Sequence, residues 1–303
     1  MPSGQTAPAF SGNLRGILWM LVFTLCMGTM HACIRQVSSG GMHPFEIAFF
    51  RNLFGLLVVV PWFVRLGLQP LRTSRLGMLT LRGAINVISM LAFFTALSIA
   101  PLAEVTALSF SAPIFATLLA MVVFGERAGI RRWTAIVVGF LGTLVILRPG
   151  YAEVGLGAML TVFAALLWGV CMVIIKSLGR TESAVTITIY MSLVMAPLSL
   201  IAALLVWQWP TWEQLAWLVG IGILGGAGQL AMAEALRVAE THVIMPVDFM
   251  KLIWVSAIAY LWFAEVPDAF TLVGGVMIFA ATAFIAWREH VMRAAPKPPA
   301  EPT

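Results

Sequence analysis

The sequence is poor in charged residues. Of its 303 residues only 10% are Asp, Glu, Lys or Arg, whereas 61% are hydrophobic; a soluble domain carries roughly 25% charged residues. No stretch is polar enough to form a soluble domain by itself. A water-soluble fold cannot hide this much apolar surface, so the bilayer must be the solvent. The composition therefore predicts an integral membrane protein.

Cysteine and catalytic motifs are also scarce. Cys26, Cys33 and Cys171 lie in apolar stretches without metal-ligand spacing, and we interpret them as packing residues. The sequence has no P-loop, no paired catalytic carboxylates, no histidine-rich metal site and no Ser/His pair. It therefore predicts neither ATP-driven pumping nor an intramembrane enzyme, and we expect no cofactor and no metal ion.

Long apolar runs are what the sequence has in abundance. A membrane-spanning helix needs about 20 mainly apolar residues. Ten runs of about this length occur, at 15–36, 44–65, 76–99, 102–124, 130–148, 155–177, 184–207, 213–236, 241–263 and 269–287. The first run is longer than a signal-peptide core and no cleavage site follows it, so we expect it to be retained. Residues 1–13 and 291–303 are predicted to be disordered cytoplasmic tails.

Lysine and arginine are unevenly distributed between the loops. If the N-terminus is cytoplasmic, almost all loop cations fall on the inner side, and only Arg35 and Arg148 fall on the outer side. This bias predicts that both termini are cytoplasmic and that the number of helices is even. Because the basic residues flank helices and form no single patch, we expect the lipid bilayer as a partner and no nucleic acid. A bacterial inner membrane is the expected location.

The two halves of the chain resemble each other. Residues 92–146 align without a gap with residues 231–285, and the first apolar run aligns with the sixth. The identical pairs include Gly16/Gly157, Gly28/Gly169, Ala96/Ala235, Leu97/Leu236, Ala100/Ala239, Phe110/Phe249, Phe124/Phe263 and Glu126/Glu265. Each half holds five helices, an odd number, so the second half must enter the membrane upside down. We predict an all-α fold of ten transmembrane helices in two inverted repeats, 14–149 and 150–290.

Four short motifs give the chain a family resemblance. They are Pro101-Leu102-Ala103-Glu104, Phe124-Gly125-Glu126-Arg127, Pro246-Val247-Asp248-Phe249 and Phe263-Ala264-Glu265. With these motifs the chain resembles the EamA-type permeases of the drug/metabolite transporter superfamily, over everything except the two tails. The resemblance implies a central cavity, alternating access and a small-molecule substrate; members carry amino acids, nucleotide-like metabolites, riboflavin-like cofactors or drugs. Ala264 departs from the glycine of the first half, which we interpret as a mild packing change.

Three charged residues lie deep within the predicted helices. Lys251 is about 15 Å from the inner end of the ninth helix, with Asp248 one turn away on the same face, and Arg51 is roughly 12 Å from the outer end of the second. Such groups usually face a cavity or a partner. We predict that all three bind substrate. The alternatives are a structural Asp248–Lys251 ion pair, and an Arg51 that snorkels outward or pairs with Glu46 or Glu104.

Weaker candidates complete the predicted site. Asn86, Trp168 and Gln229 are polar or aromatic residues near mid-helix that can contact a substrate. His31 and Asp248 are candidates for proton coupling, since a histidine pKa lies near physiological pH. Packing is the alternative for His31 and for Trp168. Pro113 and Pro246 lie inside predicted helices and are expected to kink them.

The sequence leaves more than one function open. The deep charges sum to +1 with histidine neutral, which favours a substrate that bears a carboxylate. The main prediction is a secondary transporter that moves an amino acid or another carboxylate- or zwitterion-like solute by alternating access. Uptake of a cofactor- or nucleoside-like metabolite is the alternative, and a non-transport channel or scaffold is another. The oligomeric state stays open, with a homodimer among the options.

Overall fold

The described part of the chain folds into helices. A computed structural model describes residues 9–66, 73–125, 129–149, 153–179, 181–239 and 241–294. The first half contains α1 (Ala9–Ser39), α2 (Pro44–Leu66), α3 (Leu76–Ile99), α4 (Leu102–Ser109), α5 (Ala112–Phe124) and α6 (Ile130–Leu147). The second contains α7 (Leu156–Leu178), α8 (Ala184–Leu204), α9 (Trp212–Val238), α10 (Thr241–Ile244), a 3-10 helix (Met245–Phe249), α11 (Met250–Phe263) and α12 (Ala269–Ala294).

These helices form ten membrane-crossing segments, because the fourth and the ninth are each broken into shorter helices. Seven of the described segments are long and apolar enough to cross a membrane by length and composition, and there are shorter apolar helices at Trp133–Leu147 and Ala269–Ile285. Residues 9–13 and 291–294 are helical, although they fall in the predicted disordered tails. The rest of both tails lies outside the described residues.

The two broken segments are interrupted near a proline. Pro113 stands in the first turn of α5, directly after the end of α4, and Pro246 lies in the 3-10 helix that precedes α11. Proline lacks a backbone N–H and its ring clashes with the preceding turn. A backbone carbonyl group that loses its helical hydrogen bond inside a membrane needs another partner from the protein. The Phe110 carbonyl group accepts a hydrogen bond from Thr282 Oγ1 at 3.4 Å. The structure thus has breaks where kinks were predicted.

Helix α11 ends on a residue with left-handed backbone. Ala264 has φ 53°, and its counterpart in the first half, Gly125, has φ 64°. Only glycine adopts this conformation without a steric cost. The departure from glycine at Ala264 therefore strains the backbone, and the expected change in packing stays a prediction.

Close glycine contacts reveal how the halves are related. A Cβ atom built on Gly16 would lie 2.1 Å from Ala239 Cβ, and one built on Gly157 would lie 2.4 Å from Ala100 Cβ. Gly16 and Gly157 are equivalent positions in the two halves, and so are Ala100 and Ala239. Helix α1 therefore meets α9 in the same way as α7 meets α3, and both pairs depend on small residues for close approach.

Further contacts occur at equivalent positions of the two halves. Gly83 meets Val194 where its counterpart Gly222 meets Phe54. Helices α2 and α8 pack against each other, as do α6 and α12. A pseudo-twofold axis therefore exchanges the halves. Because each half has an odd number of segments, this axis lies in the membrane plane and the repeats are inverted.

The twofold relation between the halves is incomplete in one region. Helix α3 packs against both α1 and α2. Its counterpart α9 makes no packing contact of similar extent with the described parts of α7 and α8. The second half is therefore open where the first half is closed.

Candidate functional site

A cavity of about 380 Å³ lies between α2, α8 and the C-terminal half of α9. It occupies the gap that separates α8 from α9. Its lining consists of Arg51, Asn52, Gly55, Thr188, Met191, Ser192, Met195, Gly225, Gly226, Gln229, Leu230, Met232, Ala233 and Leu236. Since the chain has an even number of segments and α9 runs toward the chain ends, the cavity lies in the half of the membrane that faces them. Its volume falls in the usual range of small-molecule sites.

Arg51 is the charged residue of this lining. Its Nη1 donates to Asn52 Oδ1 at 3.1 Å, and Asn52 Nδ2 donates to Ser199 Oγ at 3.1 Å. Gly225 makes room for the guanidinium, because a Cβ atom there would lie 3.1 Å from Arg51 Nε. The Asn52 contacts hold the side chain along the cavity wall and leave most of its five donors for a ligand.

No carboxylate neutralises Arg51 within the part of the chain that the structure describes. Glu46, one of its predicted alternative partners, is buried and accepts a hydrogen bond from the Gln208 backbone N–H at 2.6 Å. An unpaired guanidinium in a low-dielectric cavity is costly, and an anionic or strongly accepting group of a ligand would offset that cost.

The other weaker polar candidates lie at or beside the cavity. Gln229 lines it directly. Asn86 stands behind the wall, where its Nδ2 lies 3.0 Å from the Sδ of the lining residue Met195. Arg51 and Gln229 thus line one cavity, Asn86 lies next to its wall, and their role in substrate binding stays a prediction.

Asp248 and Lys251 lie elsewhere. Their side chains form the predicted pair, with Lys251 Nζ 3.4 Å from Asp248 Oδ1. The ammonium also lies over the rings of Phe110, at 4.7 Å from its centroid, and Phe23, at 5.9 Å. Neither residue lines the cavity described above. Carboxylate and aromatic faces compensate this cation, and its role in transport stays a prediction.

His31 and Trp168 belong to an aromatic cluster. The Phe93 ring contacts the His31 ring edge-on at 5.1 Å and the Trp168 ring at 4.9 Å. His31 is buried, and its Nδ1 has no hydrogen-bond partner among the described residues. Neither Trp168 nor His31 lines the cavity.

A polar clamp closes the opposite half of the membrane. Arg35 of α1 donates to the carbonyl groups of Leu97, at 3.2 Å, and Ala100, and pairs with Glu265 at 2.8 Å. The second oxygen of Glu265 accepts a hydrogen bond from the Leu102 N–H at 3.0 Å. This clamp fastens α1 and the end of α11 to the α3–α4 junction. Glu126, the counterpart of Glu265, lies outside the described residues.

Several lining residues were not predicted from the sequence. Asn52 was overlooked although it follows Arg51 directly. Helix α2 matches α8 at a shift of 140 residues, the shift that also relates Phe54 to Val194. At this shift the counterparts of Arg51, Asn52 and Gly55 are Met191, Ser192 and Met195. Extending the repeat alignment to the second helix would have found them.

Comparison with known proteins agrees with the fold. The model of the EamA-like transporter family matches residues 14–148 and 155–287. The chain belongs to this family. The two matched stretches coincide with the two inverted repeats, which confirms the predicted family and the fold of ten transmembrane helices. This EamA protein is therefore a multi-pass membrane transporter and not an enzyme.

Similar proteins transport chemically diverse small molecules. An S-adenosylmethionine uptake transporter of Rickettsia prowazekii is 31% identical over 93% of this chain and 95% of its own. A riboflavin transporter of Vibrio cholerae is 31% identical over 90% and 93%. The pseudopaline exporter of Pseudomonas aeruginosa is 25% identical over 88% and 94%. One solved structure shares the fold, with a TM-score of 0.62 at 16% identity over 94% of this chain and all of its own.

Proposed function

We propose that this EamA transporter carries a cofactor- or nucleoside-like metabolite, that is, a flat heterocycle with a polar arm. The observation that carries the proposal is the two-sided character of the cavity. Arg51 and Asn52 line it on α2, while Met191 and Met195 line it on α8 and Met232 on α9. Thioether groups pack well against aromatic rings, and a guanidinium binds carboxylates and other strong acceptors.

The size of the cavity supports this substrate class. Its volume of about 380 Å³ is more than twice the roughly 150 Å³ that accommodate a benzene ring. A ring with an attached arm fits such a space, and a single amino acid leaves much of it unfilled. The transported molecules named for the relatives, S-adenosylmethionine and riboflavin, both have this form.

This proposal is compatible with the substrate carboxylate that the deep charges predict. S-adenosylmethionine unites an adenine ring with an amino-acid group, so Arg51 can bind the carboxylate while the methionines contact the ring. A free amino acid or another small zwitterion remains the second candidate, because Arg51 has no described carboxylate partner.

We propose that both chain ends are cytoplasmic in a bacterial inner membrane. The even number of segments puts the ends on one side, and the excess of loop lysine and arginine on that side favours the cytoplasm. The cavity then opens toward the cytoplasm and the Arg35–Glu265 clamp faces outward. Reporter fusions after Pro101, Pro210 and Pro267 should all give an external signal, and a cytoplasmic signal at any of them contradicts this topology.

We propose His31 and Asp248 as the groups that couple transport to protons. The observation behind this is that Asp248 pairs with Lys251 at 3.4 Å, and that His31 is buried with its Nδ1 lacking a hydrogen-bond partner among the described residues. In liposomes with an imposed pH gradient, Asp248→Asn should lose accumulation against a gradient and retain exchange. Equal accumulation by the variant and the parent protein refutes the coupling role of Asp248.

Transport in liposomes tests the substrate class. Purified protein would be reconstituted and the influx of labelled S-adenosylmethionine, riboflavin, glutamate and leucine compared with that into protein-free liposomes. We expect saturable influx of at least one heterocyclic probe and none of the free amino acids. Saturable amino-acid influx with no heterocyclic transport would favour the second candidate. Counterflow from preloaded liposomes gives the same comparison without a driving force.

A further inference from the structure

A second arginine lies close to the cavity without lining it. Arg82 of α3 is only 8% exposed. Its Nη1 donates to the Ile187 carbonyl group at 3.4 Å and its Nη2 to Met191 Sδ at 3.5 Å, while its Nε has no hydrogen-bond partner among the described residues. No carboxylate pairs with Arg82 in the part of the chain that the structure describes. This buried cation therefore has one distant carbonyl group and one sulfur atom as its acceptors, and both are weak.

Two methionine side chains separate this part of α3 from the cavity. Arg82 and Asn86 lie one turn apart on α3, and they donate to Met191 and Met195, which lie one turn apart on α8. Both methionines line the cavity. A methionine side chain has three rotatable bonds, and its sulfur is a weak acceptor. Rotation of the Met191 side chain alone would therefore expose the Arg82 guanidinium to the cavity, without movement of a helix.

The repeat indicates that packing between these helices does not require an arginine. Helix α3 matches α9 at a shift of 139 residues, which makes the buried, uncharged Ile221 the counterpart of Arg82. The counterpart of Met191 is Arg51. An arginine is thus present both at the α3–α8 interface and at the equivalent α9–α2 interface, but on opposite members of the two helix pairs. Since α9 packs with isoleucine at this position, the charge of Arg82 needs an explanation other than helix packing.

The two arginines lie at different depths. Helix α3 begins at Leu76 on the chain-end side, about 9 Å from Arg82 at 1.5 Å per residue. Helix α2 begins at Pro44 on the opposite side, about 10 Å from Arg51. The cavity lies in the half of the membrane that faces the chain ends. An acidic group that enters from that side therefore reaches the level of Arg82 before that of Arg51.

We propose that Arg82 is a second anion-binding residue of the substrate site, covered by Met191 until a phosphate or carboxylate group of the substrate displaces the thioether. An oxyanion accepts two parallel, charge-assisted hydrogen bonds from a guanidinium, and these replace the weak contact with sulfur. Arg82 thereby selects substrates whose polar arm is acidic. The inference rests on the proposed function in taking this cavity as the substrate site, and it holds for either candidate substrate class.

Matched pairs of labelled probes test this selection, because the two members of a pair differ in one acidic group. The pairs are riboflavin 5′-phosphate with riboflavin, AMP with adenosine, and glutamate with glutamine. Dissociation constants would be measured on the purified full-length protein by scintillation proximity. The acid preference of a variant is the Kd of the neutral member divided by the Kd of the acidic member.

We expect the parent protein to prefer the acidic member of at least one pair, and Arg82→Gln to lower this acid preference about tenfold. Arg82→Lys keeps the charge without the parallel donors and should retain part of the preference. Arg75→Gln is the matched control. It removes a similar contact of the same helix, from Arg75 Nη1 to the Ser177 carbonyl group at 3.3 Å, and should keep the parent's preference. An Arg82→Gln protein that binds both members more weakly at an unchanged ratio overturns the proposal.

Met191→Ala keeps the test decisive if Arg82→Gln does not fold. It uncovers Arg82, so the acid preference should rise, even though both members of a pair lose a contact with the methionine. The rise should disappear in the double variant with Arg82→Gln. An acid preference that does not rise in Met191→Ala, or that rises equally without Arg82, overturns the proposal.

The same measurements separate this inference from the proposed substrate class. An Arg82-dependent preference confined to the glutamate pair supports the anion-binding role and refutes the heterocyclic class. Heterocycles that bind without any acid preference support the substrate class and overturn the role of Arg82. Failure of every acidic probe to bind also overturns it.

Discussion

Leu97 and Leu236 occupy equivalent positions in the two repeats, yet Leu97 is fully buried and Leu236 lines the cavity with 43% of its surface exposed. The Leu97 carbonyl accepts a hydrogen bond from Arg35 at 3.2 Å. Identical residues on related helices would share one environment if the twofold symmetry were complete. Their difference identifies the half of the membrane in which this conformation is open.

Removing the charge of Arg51 should impair substrate binding. Hydrogen bonds to a charged group contribute about 1.5–3 kcal/mol, so Arg51→Gln should lower kcat/KM in liposomes by roughly 10- to 100-fold. Arg237→Gln is the matched control, because Arg237 is exposed and pairs with Glu234 of its own helix. Equal transport by both variants would reduce Arg51 to a structural role.

The Asp248–Lys251 pair can be tested by a double substitution. Asp248→Asn or Lys251→Met alone leaves one partly buried charge without its partner and should destabilise the protein, by less than the roughly 3–5 kcal/mol that breaking a fully buried pair costs. The double variant should recover much of this stability, measured by thermal unfolding in detergent. We expect it to transport poorly even so. Transport at the level of the parent protein would show that the pair is structural only.

Ala264→Gly should stabilise the protein. Ala264 has φ 53°, and a left-handed backbone costs a non-glycine residue about 1–2 kcal/mol. Part of this gain is lost because glycine has a more flexible unfolded chain, so we expect roughly 1 kcal/mol. The reverse change at the equivalent position, Gly125→Ala, should lower stability by a similar amount. Thermal unfolding in detergent that moves in the same direction for both variants would contradict this account.

The close helix contacts should tolerate no added methyl group. A Cβ atom at Gly16 or Gly157 would lie within 2.4 Å of an alanine Cβ across the interface. Gly16→Ala and Gly157→Ala should therefore each destabilise the fold by about 1–3 kcal/mol through overpacking. Gly220→Ala is the control within a helix, since a Cβ atom there meets nothing within 4 Å. If all three variants melt alike, the glycine contacts do not hold the repeats together.

Asp268 should make the stability of the folded protein sensitive to acid. Burial raises the pKa of Asp268, but the hydrogen bonds from Thr271 and the guanidinium of Arg148 outweigh it and hold this pKa below its ordinary value. A carboxyl whose pKa is lower in the folded state stabilises the fold above its unfolded pKa of about 3.9, and loses that contribution as the pH falls through the folded pKa. Asp268→Asn should therefore flatten the loss of thermal stability below about pH 4. An unchanged profile would contradict this coupling.

The sequence by itself determined the membrane class, the ten segments, the inverted repeat and the family. These properties follow from the length of apolar runs, from an odd helix count in each half and from matches along the chain, and none of them depends on which helix faces touch. The pairing of Asp248 with Lys251 followed equally from their spacing on one helix.

Only the tertiary structure decided where the cavity lies and which candidates reach it. Arg51 on α2 and Gln229 on α9 both line the cavity, while Trp168 packs against Phe93 and Lys251 against Phe110. Depth along a helix can be counted in the sequence, but the rotation of each helix is set by packing against several neighbours at once. The opening of the cavity to one side of the membrane could not be predicted from the sequence for a further reason. The repeats are similar enough to adopt either packing, and only coordinates show that α3 is closed where α9 is open.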